Sequence, residues 1–133
     1  MQSIVEARSY YPDVSILPDS VLVAKILILS AKLYNLHYGQ ASADLAQVTD
    51  ALSSLYFYVS ALGDRYKIQP PTEKRHQEYN EPFKVSALLN AKDLAALILS
   101  KAMRLHSVFH GAGAIHIDSV ADLLGYLSML ASV

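Results

Sequence analysis

The chain contains no cysteine. That removes disulfide bonds, thiolate metal sites and cysteine nucleophiles together, and leaves the redox compartment undetermined. Charge is scarce too: 11 basic and 12 acidic side chains among 133 residues give a net charge of −1. A protein built mainly to neutralise nucleic acid or anionic lipid carries a basic excess, so composition does not indicate that role, although a local basic patch fits within the total. There is no low-complexity tract and no polybasic tail. Uninterrupted apolar runs are also missing. The longest, residues 21–36, is broken by Lys25 and Lys32 and falls short of the roughly 20 residues of a bilayer span, so it reads as a buried helix. Residues 1–9 carry Glu6 and Arg8 without an apolar stretch. Neither a signal peptide nor a transmembrane helix is expected, which leaves an intracellular or virion location open.

What the chain does contain is a repeat. Shifting the sequence by 72 positions pairs residues 22–61 with 94–133 without a gap, and 11 of the 40 pairs are identical. Leu22/Leu94, Ile26/Ile98 and Leu33/Leu105 are among them, and so are Gly39/Gly111 and Asp50/Asp122. Apolar identities are common between amphipathic helices, so the glycine and the aspartate carry more weight. Repeats constrain architecture before any motif is weighed.

Each repeat reads as helix, glycine turn, helix. Asp19 or Ser20 can cap a first helix running to about residue 38, with Gly39 as terminator. A second helix follows over about 42–62, with Ser42 and Asp44 at its start and Gly63 just past its end. Asn90 caps a third helix, with Asp93 three residues on as a capping box, and that helix stops at Gly111-Ala112-Gly113. The last starts near 116–118. Two such hairpins pack most simply as an all-α four-helix bundle. The expected organisation is a single domain with an amino-terminal arm (1–19), a first hairpin (20–62), a crossover (63–90) and a second hairpin (91–133). The crossover holds nine of the 23 charges together with Pro70, Pro71 and Pro82, and reads as an exposed connection with a short helix after Pro82.

The hairpins are therefore left bare of charge. The third helix looks apolar almost all round, with Leu94, Leu97, Leu105 and Val108 on one side and Ala95, Leu99 and Met103 elsewhere. A helix without a broad polar face is either central or covered by another subunit, and a small bundle has few central positions. Extensive self-association is expected. Nine tyrosines, Tyr10 and Tyr11 in the arm among them, supply amphipathic contact area that suits interfaces.

Lys101 projects into the apolar side of the third helix, with Arg104 on its edge. A buried ammonium needs a carboxylate partner. Asp118 and Asp122 on the next helix are the nearest candidates, spaced i, i+4 and sharing a face with Tyr126. As structural groups, Asp118 would be the cap of the last helix and Asp122 a first-turn acid. The pairing of Lys32 or Arg104 with Asp50 or Asp122 recurs in both halves, as an architectural salt bridge would. Lys101, Asp118 and Tyr126 align with Leu29, Ala46 and Ser54, so they belong to the second half alone.

The segment Lys101-Ala102-Met103-Arg104, followed after a turn by Asp118 to Tyr126, resembles the paired helices of the all-α nucleoside triphosphate pyrophosphatases, the MazG-like group. The resemblance covers about 30 residues and rests on about six side chains. It implies a magnesium site at Asp118 and Asp122, with Glu78 and Glu81 as a second acidic pair, and it gives Lys101 and Arg104 a phosphate role beside Tyr126. The sequence departs from the family pattern at Glu78-Tyr79-Asn80-Glu81, which directly precedes Pro82 rather than lying in a helix. A separate candidate is His106, His110 and His116, three imidazoles that could converge on zinc.

The leading expectation is a self-assembling structural or interaction protein, such as a filament, coat or particle subunit, with itself as partner and no cofactor. The alternative is a magnesium-dependent nucleotide pyrophosphatase-like enzyme. A nucleic-acid-associated helical subunit stands third.

Overall fold

The computed structural model describes residues 14–39, 44–68 and 90–131, which form an all-α bundle. Its four long helices are α1 (Asp19–Tyr38), α2 (Leu45–Arg65), α3 (Ala91–Ala112) and α4 (Ile117–Ala131), and a 3-10 turn at Val14–Ile16 leads into α1. The connection between α2 and α3, with Glu78, Glu81 and the helix expected after Pro82, lies outside the described residues. So do Tyr10, Tyr11 and Ser42.

The helix ends follow local chemistry. Asn90 and Asp93 form the reciprocal capping box: the Asn90 side chain accepts from the Asp93 amide at 3.1 Å, and Asp93 accepts from the Asn90 amide at 3.2 Å. Asp44, rather than Ser42, caps α2 by accepting from the Ala46 amide at 3.1 Å. At α1 the cap position falls on Pro18, which leaves Asp19 inside the first turn and free to bond elsewhere. Gly113 ends α3 in the left-handed region at φ 68°, donating to Phe109 O at 2.8 Å.

Gly63 is not a terminator. It is buried inside α2, where an added Cβ would meet Leu124 Cδ1 at 3.4 Å, an ordinary van der Waals contact, so it packs against α4. The helix stops two residues later through Lys67, a non-glycine residue at φ 56°. The amides of Lys67 and Ile68 return to Asp64 O and Gly63 O at 3.2 and 2.8 Å. This is the doubly bonded carboxyl-terminal cap usually built on glycine.

Lys92, in the first turn of α3, lies 5.4 Å from the ring centroid of Tyr38 at the end of α1, so α1 and α3 run antiparallel. The contact of Gly63 with Leu124 and Val120 makes α2 and α4 antiparallel as well. Helix α1 packs along α2 and α3, and α4 along the same two. Two antiparallel hairpins thus stack about an approximate two-fold axis perpendicular to the helices. The end of α2 and the start of α3 stand at opposite ends of the bundle, about 30 Å apart by helix rise, as in bundles with one long crossover.

The repeat is visible in the core. The buried residues of α1 are Leu22, Val23, Ile26, Ser30 and Leu33, and those of α3 are Leu94, Ala95, Ile98, Ala102 and Leu105. The two sets coincide position for position under the 72-residue shift. Ala51/Leu123, Ser53/Gly125, Leu55/Leu127 and Tyr58/Leu130 coincide in the same way in α2 and α4. Ser30 and Ala102 are small residues near the middle of the α1–α3 seam, where bulk would hold the helices apart.

Helix α3 buries one side in the bundle and leaves the other exposed. Ser100, Met103, Arg104 and Ser107 are exposed on it. The most enclosed stretch is residues 57–63 of α2, seven consecutive buried positions. Helix α1 is long and apolar enough, by length and composition alone, to cross a bilayer. In the bundle Leu22, Val23, Ile26 and Leu33 line the core, and 28% of that apolar stretch is buried.

Candidate functional site

The polar cluster singled out by the sequence assembles between α3 and α4. Lys101 Nζ reaches Asp122 Oδ2 at 3.0 Å, and both side chains are largely enclosed. Of the two carboxylates in reach by topology, Asp122 is the partner. The expected recurring pair with Arg104 does not form this bridge, because Arg104 points to solvent on the outer edge of α3. Lys101 stands where hairpin 1 has Leu29, so the bridge joins a repeated acid to a base peculiar to the second half.

Tyr126 completes the cluster one turn beyond Asp122. Its phenol is pushed above the ordinary value by burial and by the charge of Asp122, while the Lys101 ammonium acts in the opposite direction. Proximity to both charges follows from that opposition. Ser54 holds the equivalent position in hairpin 1, so Tyr126, like Lys101, has no counterpart there.

Asp118 is exposed at the start of α4. It is not the cap, since α4 begins at Ile117 and the amides of Ser119 and Val120 bond to His116 O at 3.1 and 3.3 Å. Asp118 keeps only the first-turn position that favours a negative charge. His116 folds into the same turn, with Nδ1 2.6 Å from the Oγ of buried Ser119. His106 and His110 lie together on α3 with ring centroids 4.2 Å apart. The three histidines therefore do not converge, and among the described residues no three His, Asp or Glu side chains gather as a metal site. Within that region magnesium would find two carboxylates, one of them held by Lys101, which does not fit a hard cation that wants several oxygens.

A second polar cluster escaped the sequence reading. Arg65 Nη1 donates to Asp19 Oδ1 at 2.8 Å, its Nη2 donates to Val14 O at 3.0 Å, and the Tyr66 hydroxyl donates to Asp19 Oδ2. The group ties the end of α2 to the start of α1. Burial raises the Asp19 pKa, but the bonds from Tyr66 and Arg65 and the guanidinium charge outweigh it and hold the carboxyl below its ordinary value. Arg65 looked like one of many charges in the crossover. Its partner lies 46 residues away, and no local spacing announces it.

Comparison with family models, with curated proteins and with solved structures yields no match.

Proposed function

We propose that the protein is a self-assembling helical subunit whose copies associate through the outer face of the α1–α3 layer. The observation that carries this reading is the composition of that face. Its outward positions are 24, 27, 28, 31, 34, 35 and 38 on α1 and 96, 99, 100, 103, 106, 107 and 110 on α3. None of them is Asp, Glu, Lys or Arg, while exposed Lys92, a turn before Ala96 on α3, stands beside them with its ammonium over the Tyr38 ring. Ile28 remains 63% exposed and Met103 57%. Water penalises such surface by about 25 cal/mol per Å², and contiguous faces without charge are the ones that protein partners cover.

A second copy suits the face better than an unrelated partner because the layer is nearly two-fold symmetric. The antiparallel register places Ile28 and Met103 at similar heights on neighbouring helices, so a face-to-face pair brings apolar residue to apolar residue in an isologous contact. Lys25, Lys32 and Arg104 stand exposed at the edges, where a polar rim belongs. Light scattering on the eluting protein, with charge placed at Ile28 and Met103, tests the reading.

A second reading draws on the Lys101–Asp122–Tyr126 cluster, which has no equal in hairpin 1. Here Lys101 and Arg104 meet the phosphates of a nucleotide, as the pyrophosphatase resemblance implies. Titration of nucleoside triphosphate with magnesium tests it, and unchanged binding in Asp122→Ala removes it.

A further inference from the structure

We infer that His106 and His110 form a two-imidazole site for a divalent cation of the zinc class at the carboxyl-terminal end of α3. The inference is independent of the assembly reading. Two residues four apart stand on one face of a helix, and histidines at that spacing supply half of the ligand set in helical zinc motifs. Their ring centroids are 4.2 Å apart and the ring planes are inclined at 51°. Two imidazoles bound in their ring planes to one tetrahedral ion at 2.0–2.1 Å hold their centroids about 5 Å apart, so binding requires the two rings to open by about 1 Å from the contact they make here. Inclined rings also let ring nitrogens turn toward a common point, which face-to-face rings would not.

The surroundings favour a cation. His110 is in the last turn of α3, where the unpaired carbonyls give the helix end partial negative charge. The edge of Phe109 stands against the His110 ring with centroids 5.9 Å apart. His116 does not gather with the pair, since among the described residues no three imidazole or carboxylate side chains form a group. Among the described residues no other His, Asp or Glu joins the pair.

The repeat supplies an internal contrast. The positions equivalent to His106 and His110 are Tyr34 and Tyr38, whose rings lie 4.4 Å apart and nearly parallel at 17°. Both hairpins place an aromatic pair at the same register, and only the second arms it with nitrogen. Packing alone explains the tyrosine pair. It gives no reason for two imidazoles.

The test is isothermal titration of the full chain, free of any affinity tag, with zinc chloride and separately with magnesium chloride. Wild type is expected to bind one zinc per chain at this pair. His106→Ala and His110→Ala should each weaken that binding at least tenfold, His116→Ala should leave it unchanged, and magnesium should give no binding heat. Conservative His106→Gln and His110→Gln variants, with helicity checked by circular dichroism, separate ligand loss from misfolding and should lose zinc in the same way. Absence of zinc binding by wild type, retention of full affinity in the doubly substituted chain, loss of binding in His116→Ala, or equal affinity for magnesium would each overturn the assignment.

Discussion

Lys101 and Asp122 form an ion pair at 3.0 Å across the α3–α4 interface, with side chains 30% and 20% exposed. Such a pair is neither a fully solvated bridge nor a dry one, and its removal is informative about what the cluster does. Breaking a buried pair leaves an uncompensated charge, while an exposed one contributes little. Asp122→Ala is expected to cost about 1–2 kcal/mol in urea unfolding, between those limits. Lys101→Leu places in hairpin 2 the residue that hairpin 1 carries at position 29. Its penalty should come from removing the cation beside Asp122, so the double substitution should cost less than the sum of the single ones.

The Asp19–Arg65–Tyr66 cluster should set both edges of the pH–stability profile. Asp19 has a lowered folded pKa: burial alone would raise it, but bonds from Tyr66 and Arg65 prevail. The folded state thus binds fewer protons. Its contribution is present above the unfolded carboxyl value of about 3.9 and is lost as pH falls through the folded value. Tyr66 behaves oppositely. Its hydrogen bond to Asp19, then burial and the Asp19 charge, raise it, so its contribution is present below about 10 and fades as pH rises through the folded value. Tyr66→Phe should weaken the protein at neutral pH and flatten both edges in thermal melts taken across pH.

His37 gives a separate acid response. Burial, followed by the charge of Lys92, lowers its pKa, and Nε2 is buried without a hydrogen-bond partner. Protonation therefore favours the unfolded chain. Stability should decline as pH falls below about 6.5, the ordinary imidazole value. Thermal melts between pH 7 and 5 should show that decline in wild type and a smaller one in His37→Gln.

Lys67 carries backbone strain that glycine would relieve. At φ 56° it closes the end of α2, a conformation that costs an L-residue about 1 kcal/mol. Lys67→Gly is expected to raise stability by up to about 1 kcal/mol, measured by urea unfolding. Lys67→Val should lower it, because a branched side chain tolerates that region least.

Much of the architecture was legible because helix periodicity and caps are local signals. Asn90 and Asp93 have the spacing of a capping box and form one; the 72-residue shift also relates the buried residues of α1 to those of α3. The misreadings had tertiary causes. Gly63 looks like a stop in sequence, but it lies inside α2 and packs against α4. On α3, apolar almost all round in sequence, five positions on one side are buried in the core, and periodicity does not say which side that is. At the polar cluster, spacing offered Lys101 two acids, and only packing selected Asp122. The Asp19–Arg65 bridge spans most of the first hairpin, so nothing nearby marked it.

The charge-poor face of α1 and α3 is proposed as the contact between copies of the chain. Size-exclusion chromatography with multi-angle light scattering tests it most directly, on wild type and on Ile28→Glu/Met103→Glu. Both substitutions lie on exposed positions, so the bundle should keep its helicity while the interface loses it. The account predicts a wild-type mass of at least twice the 14.6 kDa chain and a return to one chain in the double variant. A monodisperse wild-type monomer at high concentration, or an assembly unmoved by the two glutamates, would contradict it.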